Sequence, residues 1–330
     1  MSGGALLLSR SDVVAMLGVD ECMAAVEQAF RMHAEGNSLP PGVLGVHAHD
    51  GGFHVKTAGL PLKRFYFAAK INANFPANPS RFGLPTIQGL VLLYDAEKGT
   101  PLAVMDSMEI TAMRTAAATA IAAKHLARED ARVLTVCGCG IQGRAQLRAL
   151  ARARQLGSVL AFDADHALAA RFAEEMGAEL HLAVRVAEDL SAAVRQSDIC
   201  VTCTTAKRFI IRREDVPPGM FLAGVGADNP EKQELDPALF ACSKVVVDSV
   251  EQCATIGDLH HALAAGCVTR DVVHAELSEM VAGRKPGRTS RDEITLFDST
   301  GTALQDVAAA AAAYERALAK NHGARLDFSI

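Results

Sequence analysis

The 330-residue sequence has no excess of basic residues, no long apolar run and no regular spacing of cysteines. Its 33 lysines and arginines are outnumbered by 38 aspartates and glutamates, so the charge does not indicate a nucleic-acid-binding surface. No apolar stretch approaches the length of a membrane span, and the run Ala5–Leu8 is too short for the core of a signal peptide. With 50% hydrophobic residues, the chain is expected to form one large or two medium domains with ample core.

The eight cysteines lack the spacing of a disulfide framework, and several fall in predicted strands. This favours reduced, buried thiols in a cytoplasmic protein. Cys200 and Cys203 resemble a redox motif, but they lie in an apolar segment that predicts a strand, where positions three apart face opposite sides. The histidines show no ligand spacing, and the adjacent His260 and His261 cannot share one face of a helix. We therefore predict structural cysteines and no bound metal.

The strongest positive signal is a glycine-rich turn between a predicted strand and a predicted helix. An apolar run from Arg132 leads into Gly138, Gly140 and Gly143, and a helical pattern over 144–156 follows at once. In a dinucleotide-binding turn the first glycine permits the tight turn, the second lets the backbone approach a pyrophosphate, and the third lets the helix pack on the strand. The helix N-terminus then faces the phosphates. The alternative is a glycine turn that binds no ligand.

A second predicted strand, Ser158–Asp163, ends in an acid about twenty positions after the glycines, where the adenosine ribose of a dinucleotide needs a hydroxyl acceptor. Asp163 could instead cap the next helix, but Asp165 is the better candidate for that cap. No arginine follows Asp163 immediately to hold a 2′-phosphate. We therefore predict NAD over NADP, although His166 or Arg171 could help to bind the latter.

The region up to about residue 115 predicts an α+β domain. A helix is expected over Ser11–Ala34, with Ser11 or Asp12 as its N-cap, and Pro40-Pro41-Gly42 is expected to break the chain. Short runs rich in strand formers, separated by turns, then predict strands at Val43–His47, Phe53–Thr57, Tyr66–Asn72 and Leu90–Asp95.

After an alanine-rich predicted helix, Thr111–Ala127, apolar strands alternate with helices. This alternation predicts a parallel sheet with helices on both faces. A final helix is predicted over Ala303–Lys320. The strands are expected near Arg132, Ser158, Asp198, Met220, Lys244 and Glu293.

Six segments in order resemble the ornithine cyclodeaminase/mu-crystallin family, and the match runs almost end to end. The resemblance implies an α/β fold in which a Rossmann-type doubly wound, NAD-binding domain (116–302) is inserted into an α+β domain for substrate binding and dimerisation (1–115 with 303–330). It also implies a homodimer, which agrees with the few short strands of the first region. The segments are Ala69–Asn72, Gly83–Gly89, Thr111–Ala116, Arg132–Gly143, Gly226–Asp236 and Asp298–Asp306.

The resemblance gives two cationic residues a role in binding the substrate. Lys70 matches the family's substrate lysine, which can hold a carboxylate and polarise the developing imine; the alternative is a lysine that extends its amine to water. Arg114 matches an arginine that contacts substrate and dinucleotide, and its planar fork suits a carboxylate; the alternative is an arginine on a helix surface. Many relatives carry a further arginine where this chain has Gly42, and Lys56 is the candidate substitute.

Asp228 follows a predicted strand at the carboxyl end, where doubly wound sheets place ligands. It matches the acid/base that handles protons on the substrate nitrogen, a task that partly dry surroundings would suit; the alternative is a turn residue. Lys232 matches a lysine near the dinucleotide, with a solvated loop lysine as the alternative. The remaining positions that the resemblance assigns to the dinucleotide, besides Arg114, are Thr86, Ile141, Gln142, Thr204, Val225 and Ser299.

Relatives oxidise or reduce the Cα–N bond of amino acids or cyclic imines. The expected function is therefore an NAD-dependent cyclodeaminase that converts an L-amino acid such as ornithine to proline and ammonia through an imine. One alternative is an amino-acid dehydrogenase or cyclic-ketimine reductase with net turnover of NAD(P)H, which would use the same residues. The other is a non-catalytic, crystallin-like binding protein on the same fold.

Overall fold

The computed structural model describes residues 4–327, so the first and last three positions of the predicted split domain lie outside the described residues. None of the described helices is both long and apolar enough to cross a membrane. The helices are α1 (Arg10–Met16), α2 (Val19–Ala34), α3 (Asn78–Phe82), α4 (Ser107–Leu126), α5 (Ile141–Ala153), α6 (His166–Leu180), α7 (Leu190–Arg195), α8 (Ala238–Ala241), α9 (Val250–Ile256), α10 (Asp258–Ala264), α11 (Leu277–Val281) and α12 (Ala303–Ala319).

The strands fall into two large sheets and one short two-stranded pair, β11 with β13. In chain order they are β1 (Ala5–Leu8), β2 (Leu39–Ala48), β3 (Gly51–Pro61), β4 (Phe65–Asn74), β5 (Ile87–Asp95), β6 (Pro101–Asp106), β7 (Val133–Cys137), β8 (Ser158–Phe162), β9 (Val184–Val186), β10 (Ile199–Thr202), β11 (Lys207–Ile211), β12 (Phe221–Gly224), β13 (Gln233–Leu235), β14 (Ser243–Val247), β15 (Val273–Glu276), β16 (Ile294–Asp298) and β17 (Ala324–Leu326).

The chain forms two compact units. One combines Met1–Arg114 with Thr302–Ile330, and is called the split unit here; the other is Thr115–Gly301, the inserted unit. The first crossing between the units falls inside α4, and the second falls just before α12. Each unit is built around its own large sheet.

The split unit is a seven-stranded sheet covered by α12. The strand order is β17-β1-β6-β5-β4-β3-β2, and every neighbouring pair is antiparallel except β1 with β6. Alternate side chains point to one face, so Tyr66, Ala68 and Lys70 of β4 share the buried side. Helix α12 packs against β3, β4 and α2. Because α12 consists largely of buried alanines, it lies close to the sheet.

The N-terminal part of this unit corrects two predictions. The helix expected over Ser11–Ala34 is two helices, because Leu17 and Gly18 have extended backbones. Neither Ser11 nor Asp12 is the N-cap. Ser9 caps α1, and Asp12 completes a capping box by accepting a hydrogen bond from the Ser9 backbone N–H at 2.9 Å.

Pro40-Pro41-Gly42 does not break the chain, contrary to prediction. The three residues lie inside β2, which is an edge strand of the sheet. Proline has no N–H to donate, but an edge strand pairs on one side only and tolerates this loss. The register between β2 and β3 shifts from Leu39 to Gly42, which is where the two prolines are accommodated.

The inserted unit is an eight-stranded parallel sheet in the order β15-β14-β16-β12-β10-β7-β8-β9. The chain runs outward from β7 through β8 to β9, and then returns to β10 on the other side of β7. This reversal is the topological switch point at which doubly wound sheets bind ligands. The predicted α/β fold with a Rossmann-type doubly wound sheet is confirmed. The short edge strands β9 and β15 were not predicted.

Candidate functional site

The glycine turn of the inserted unit joins β7 to α5 at the switch point. Gly138 has a φ of +98°, which only glycine adopts readily, and a Cβ on Gly143 would lie 2.0 Å from the Gly138 carbonyl oxygen. A Cβ on Gly140 would meet no described atom within 4 Å. Within the described residues no side chain caps α5 at Gly140, so the start of the helix is not closed by an N-cap side chain. This combination of close packing and an open edge fits a bound pyrophosphate.

Asp163 follows β8 and lies against this turn. Its Oδ2 accepts a hydrogen bond from the Cys139 N–H at 2.8 Å, and its Oδ1 accepts from the Asp165 N–H at 3.0 Å. Asp165, as predicted, is the N-cap of α6, where it accepts from the N–H groups of Ala167 and Leu168. Asp163 is therefore not the helix cap, and each carboxylate oxygen keeps a lone pair with which it can accept a ribose hydroxyl.

Glu234, which no sequence pattern indicated, holds two loops at the carboxyl end of the sheet. The fully buried carboxylate accepts hydrogen bonds from Thr202 Oγ1, from the Thr204 N–H and Oγ1, and from the Gly226 N–H, at 2.6–2.8 Å. Burial raises its pKa, and these hydrogen bonds act in the opposite direction. The loops it holds contain Thr204 and Val225, two of the residues expected to bind the dinucleotide.

Asp228 and Lys232 form an ion pair in the loop that Glu234 holds. Lys232 Nζ lies 2.7 Å from Asp228 Oδ1, and His261 Nε2 lies 2.8 Å from the Lys232 carbonyl oxygen. The side chain of Lys232 is 13% exposed, so it is not the solvated lysine of the alternative interpretation. The side chain of Asp228 is 46% exposed, so the structure does not give it the partly dry surroundings that were expected.

Three more acids are buried near Glu234: Asp248, Asp258 and Asp298. Asp258 Oδ1 accepts from the Glu234 N–H at 2.8 Å, and Asp298 Oδ2 accepts from the Leu259 N–H at 2.8 Å. Burial raises the pKa of Asp298 to about 7, and burial together with the neighbouring Asp298 and Glu234 raises that of Asp258 well above its ordinary value. Asp258 and Asp298 therefore hold backbone N–H groups of the loops, and burial favours the protonated form of both carboxyl groups.

The split unit has a buried ionic cluster at the first turn of α12. Lys70 Nζ lies 2.9 Å from Asp306 Oδ1, and Arg114 Nε lies 3.0 Å from the same oxygen. Arg114 Nη1 also donates to Gln305 Oε1 at 2.7 Å. Lys70 is 3% exposed, Arg114 4% and Asp306 1%. The alternative interpretations of Lys70 and Arg114 as surface residues are therefore wrong.

Positive charge exceeds negative charge in this cluster. Lys70 and Arg114 share the single carboxylate of Asp306, and Lys56, which pairs with Lys70 across β3 and β4, is also buried. Burial, followed by Arg114 and Lys56, lowers the pKa of Lys70 to about 7, although Asp306 opposes the shift. Burial alone would raise the pKa of Asp306, but Lys70, Arg114 and Lys56 hold it below its ordinary value. With Lys70 protonated, the cluster therefore carries a net positive charge, which suits an anion.

The predicted site residues are divided between the two units. The split unit brings together Lys56, Lys70 and Arg114, and it also contains Thr86, whose carbonyl oxygen accepts from the Phe75 N–H just before β5. Gly42 pairs with Thr57, the neighbour of Lys56. The other candidates belong to the inserted unit: Gly138, Gly140, Ile141, Gln142, Gly143, Asp163, Thr204, Val225, Asp228, Lys232 and Ser299.

Asp306 and Gln305 are the members of the ionic cluster that sequence reasoning missed. Both lie in the segment that carried the family resemblance, but the pattern assigned them no role. One signal was present, because Asp306 is the only charged residue between Asp298 and Glu315. A single charge in the apolar stretch of a predicted helix needs a buried partner.

A model of the ornithine cyclodeaminase/mu-crystallin family matches residues 4–321. The chain belongs to this family. It is 39% identical over 326 residues to an alanine dehydrogenase of Archaeoglobus fulgidus, with 98% of each chain covered. The family resemblance inferred from the six segments is thereby confirmed.

Two solved structures with bound ligands are similar to this family member. One is an archaeal alanine dehydrogenase dimer with bound NAD, at 38% identity and a TM-score of 0.94, with 98% of this chain and 99% of that chain covered. The other is the Δ1-pyrroline-2-carboxylate reductase of Thermococcus litoralis in complex with NADH and L-proline, at 35% identity and a TM-score of 0.93. The comparison covers 97% of this chain and 100% of the reductase.

The buried acids of the inserted unit predict that stability falls with pH. Folded Asp298 keeps its proton up to about pH 7, whereas the unfolded residue ionises near pH 4. Between about pH 4 and 7 the folded state therefore binds more protons, so the free energy of unfolding decreases as pH rises. Denaturant unfolding at a series of pH values measures this slope.

Asp298→Asn is expected to flatten the slope without abolishing it, because Asp258 remains. The substitution also replaces one carboxylate oxygen by an NH₂ group, so one of the two backbone N–H groups that Asp298 binds loses its acceptor, and a constant loss of about 1–3 kcal/mol is expected at every pH. The exposed Glu188 provides the control, since Glu188→Gln is expected to leave the wild-type slope. Parallel curves for Asp298→Asn and wild type would contradict the prediction.

Proposed function

We propose that this protein is an NAD-dependent oxidoreductase that interconverts an L-amino acid and its imine or 2-oxo acid at the Cα–N bond. The observation that supports this proposal most directly is a buried excess of positive charge, because the two cations Lys70 and Arg114 share the single carboxylate of Asp306. A substrate carboxylate balances that charge. The 39% identity to an alanine dehydrogenase and the similarity to an NADH-bound reductase support the same reaction class.

The residues of the inserted unit fit a dinucleotide. The open edge at Gly140 and the uncapped start of α5 would hold the pyrophosphate, and Asp163 would accept the ribose hydroxyls. Thr204 and Val225 lie in the loops that Glu234 fixes beside the switch point. Asp163 also favours NAD over NADP, because its charge repels a 2′-phosphate. When bound, NAD accepts a hydride from the substrate carbon or supplies one to it.

The protein side chains bind the substrate and move its protons. The fork of Arg114 binds the α-carboxylate, and Lys70 adds a second donor and stabilises the polarised C–N bond. Asp228 takes a proton from the substrate amine during oxidation and returns it during reduction. Lys232 Nζ lies 2.7 Å from Asp228 Oδ1 and would orient that carboxylate.

The charges of the cluster favour net oxidation or reduction over cyclodeamination. Ornithine carries a second ammonium group, which needs an acid as its partner. The carboxylate of the cluster, Asp306, is already engaged by Lys70 and Arg114, and the surplus cations would repel another positive charge. A small amino acid or a cyclic imine fits this charge balance better. We therefore rank the dehydrogenase or imine-reductase function above the cyclodeaminase function expected from the sequence.

The ratio of NADH consumed or formed to product formed tests this proposal. Purified protein is given a panel of amino acids, 2-oxo acids with ammonium, and cyclic imines, each with NAD(H) and NADP(H). A net change in NADH absorbance equal to the product formed is expected. Conversion of ornithine to proline without a net change would instead establish a cyclodeaminase. No turnover of any panel member would favour a non-catalytic binding protein.

Two substitutions are expected to separate chemistry from binding. Asp228→Asn keeps the shape but removes the basicity, so turnover should fall by about 10²- to 10⁴-fold while NADH binding persists. Arg114→Ala removes a substrate anchor, so the affinity for substrate should collapse, with a smaller loss of affinity for NADH. Steady-state kinetics and NADH titration measure both effects.

Glu231→Gln is the matched control for Asp228→Asn, since Glu231 is an exposed acid of the same loop that pairs with Lys207. It is expected to retain wild-type turnover. If Asp228→Asn also retains near-native turnover on the best substrate, Asp228 is a turn residue and the proposed mechanism loses its base.

We further propose that the split unit forms a homodimer through the outer face of its sheet. The register aligns Leu44, Val55, Ile71 and Leu90 in one apolar row, on the face opposite Lys56 and Lys70. Leu44 is 59% exposed and Leu90 is 49% exposed. An apolar row of this kind marks an interaction surface, and the similar archaeal structure is a dimer.

Sedimentation at micromolar concentration is expected to give a dimer, and the double variant Leu44→Glu/Leu90→Glu is expected to give a folded monomer. Val14→Glu, at an exposed apolar position of α1, is the control and should remain dimeric. A monomeric wild-type protein would overturn this assembly.

A further inference from the structure

Asp306 has a position that the substrate alone does not explain. It lies in the first turn of α12, where the helix dipole favours a carboxylate, and it contacts both cations expected to bind the substrate. Lys70 comes from β4 and Arg114 from α4, so a single side chain links three elements. Two long, flexible side chains are thereby held at one oxygen.

We propose that Asp306 is the positioning residue of the substrate site, fixing Lys70 and Arg114 as one preassembled carboxylate receptor. The inference rests on the proposed function, because that function makes the two cations the substrate anchors. Asp306 itself is not expected to contact the substrate. A negative charge at that point would repel the substrate carboxylate unless both cations stand between the two anions.

The contacts of Arg114 support a receptor of this kind. Among the described residues, Arg114 contacts Asp306 through Nε and Gln305 through Nη1, which leaves Nη2 for a ligand. An arginine can only donate, so the amide oxygen of Gln305 must face Arg114. The guanidinium is therefore held by a hydrogen bond to Gln305 and an ion pair with Asp306 before any substrate arrives. Preassembly removes the loss of side-chain freedom that binding would otherwise require.

Lys70 depends on Asp306 in a second way. The charged and titratable groups that face the Lys70–Arg114 pair are Lys56 from β3, Asp306 from α12 and Cys22 from α2, while β5 brings the uncharged Val91 opposite Lys70. Asp306 is the group that raises the pKa of Lys70 against burial and the other cations. Without this carboxylate, Lys70 would lose its proton at a lower pH.

Two variants of Asp306 distinguish a positioning role from a role in charge balance alone. If Asp306 only balances charge, Asp306→Asn makes the cluster more positive and should tighten the binding of an anion. Asp306→Glu, which keeps the charge, should then resemble wild type. If Asp306 positions the cations, both variants should weaken the binding of an anion. Asp306→Glu would displace Lys70 and Arg114 by about an ångström, and Asp306→Asn would remove the charge that holds them.

The test measures pyruvate affinity by calorimetry, with and without NADH, and the pH profile of kcat/KM with the best substrate. We expect both variants to lose about 10²-fold in kcat/KM, mainly through KM. The alkaline limb of the profile should move to lower pH in Asp306→Asn and stay in place in Asp306→Glu. Pyruvate affinity at or above that of wild type in both variants would overturn the proposal, whatever the pH profile shows.

Glu315→Gln is the matched control. Glu315 lies on the same helix and pairs with Lys63, but it is outside the cluster. This variant should keep wild-type kcat/KM and pH profile. Circular dichroism spectra and melting temperatures show whether each variant is folded. Should Asp306→Asn fail to fold, Asp306→Glu still decides between the two roles. If the proposed function is wrong, the wild-type protein will turn over no substrate of the panel. If only the positioning role of Asp306 is wrong, the wild type will be active and the Asp306 variants will bind pyruvate at least as tightly as the wild type.

Discussion

The ionic cluster around Asp306 is the constraint on which the split unit depends. Buried charges are stable only when they are paired, and here the two cations Lys70 and Arg114 share one carboxylate. The positive charge that Asp306 does not neutralise is what the carboxylate of the proposed substrate would balance. Asp306 therefore links β4, α4 and α12, and in the proposed function it also shapes the site for an anion. Packing and binding are not separable at this position.

The loops of the inserted unit are held by buried acids instead of buried cations. Its ligand edge is held by buried acids that accept hydrogen bonds from backbone N–H groups of the loops. Glu234 joins the loops after β10 and β12, and Asp258 holds the backbone of Glu234. The glycine turn at the start of α5 is where the phosphates of a dinucleotide would bind.

The sequence predicted the parallel sheet well, because strands buried on both faces appear as continuous apolar runs. It missed β9 and β15, since edge strands of three or four residues carry too few positions for a pattern. It misread Pro40 and Pro41, because the tolerance of an edge strand depends on sheet order. Lys70 and Arg114 were found through family resemblance. Asp306 was not, since its contact with Lys70 joins positions 236 residues apart and no local pattern records such a pairing.

That sequence separation has a consequence for how the molecule is made. The strands β1 to β6 emerge from the ribosome before the inserted unit, but α12 is synthesised only after it. Until it arrives, Lys70 and Arg114 lack their carboxylate and β3 and β4 lack the helix that covers them. The inserted unit can fold as a continuous segment in the meantime. The split unit is therefore completed only after the inserted unit has been synthesised, and a chain that stops short of α12 would leave the sheet face at β3 and β4 uncovered and prone to aggregation.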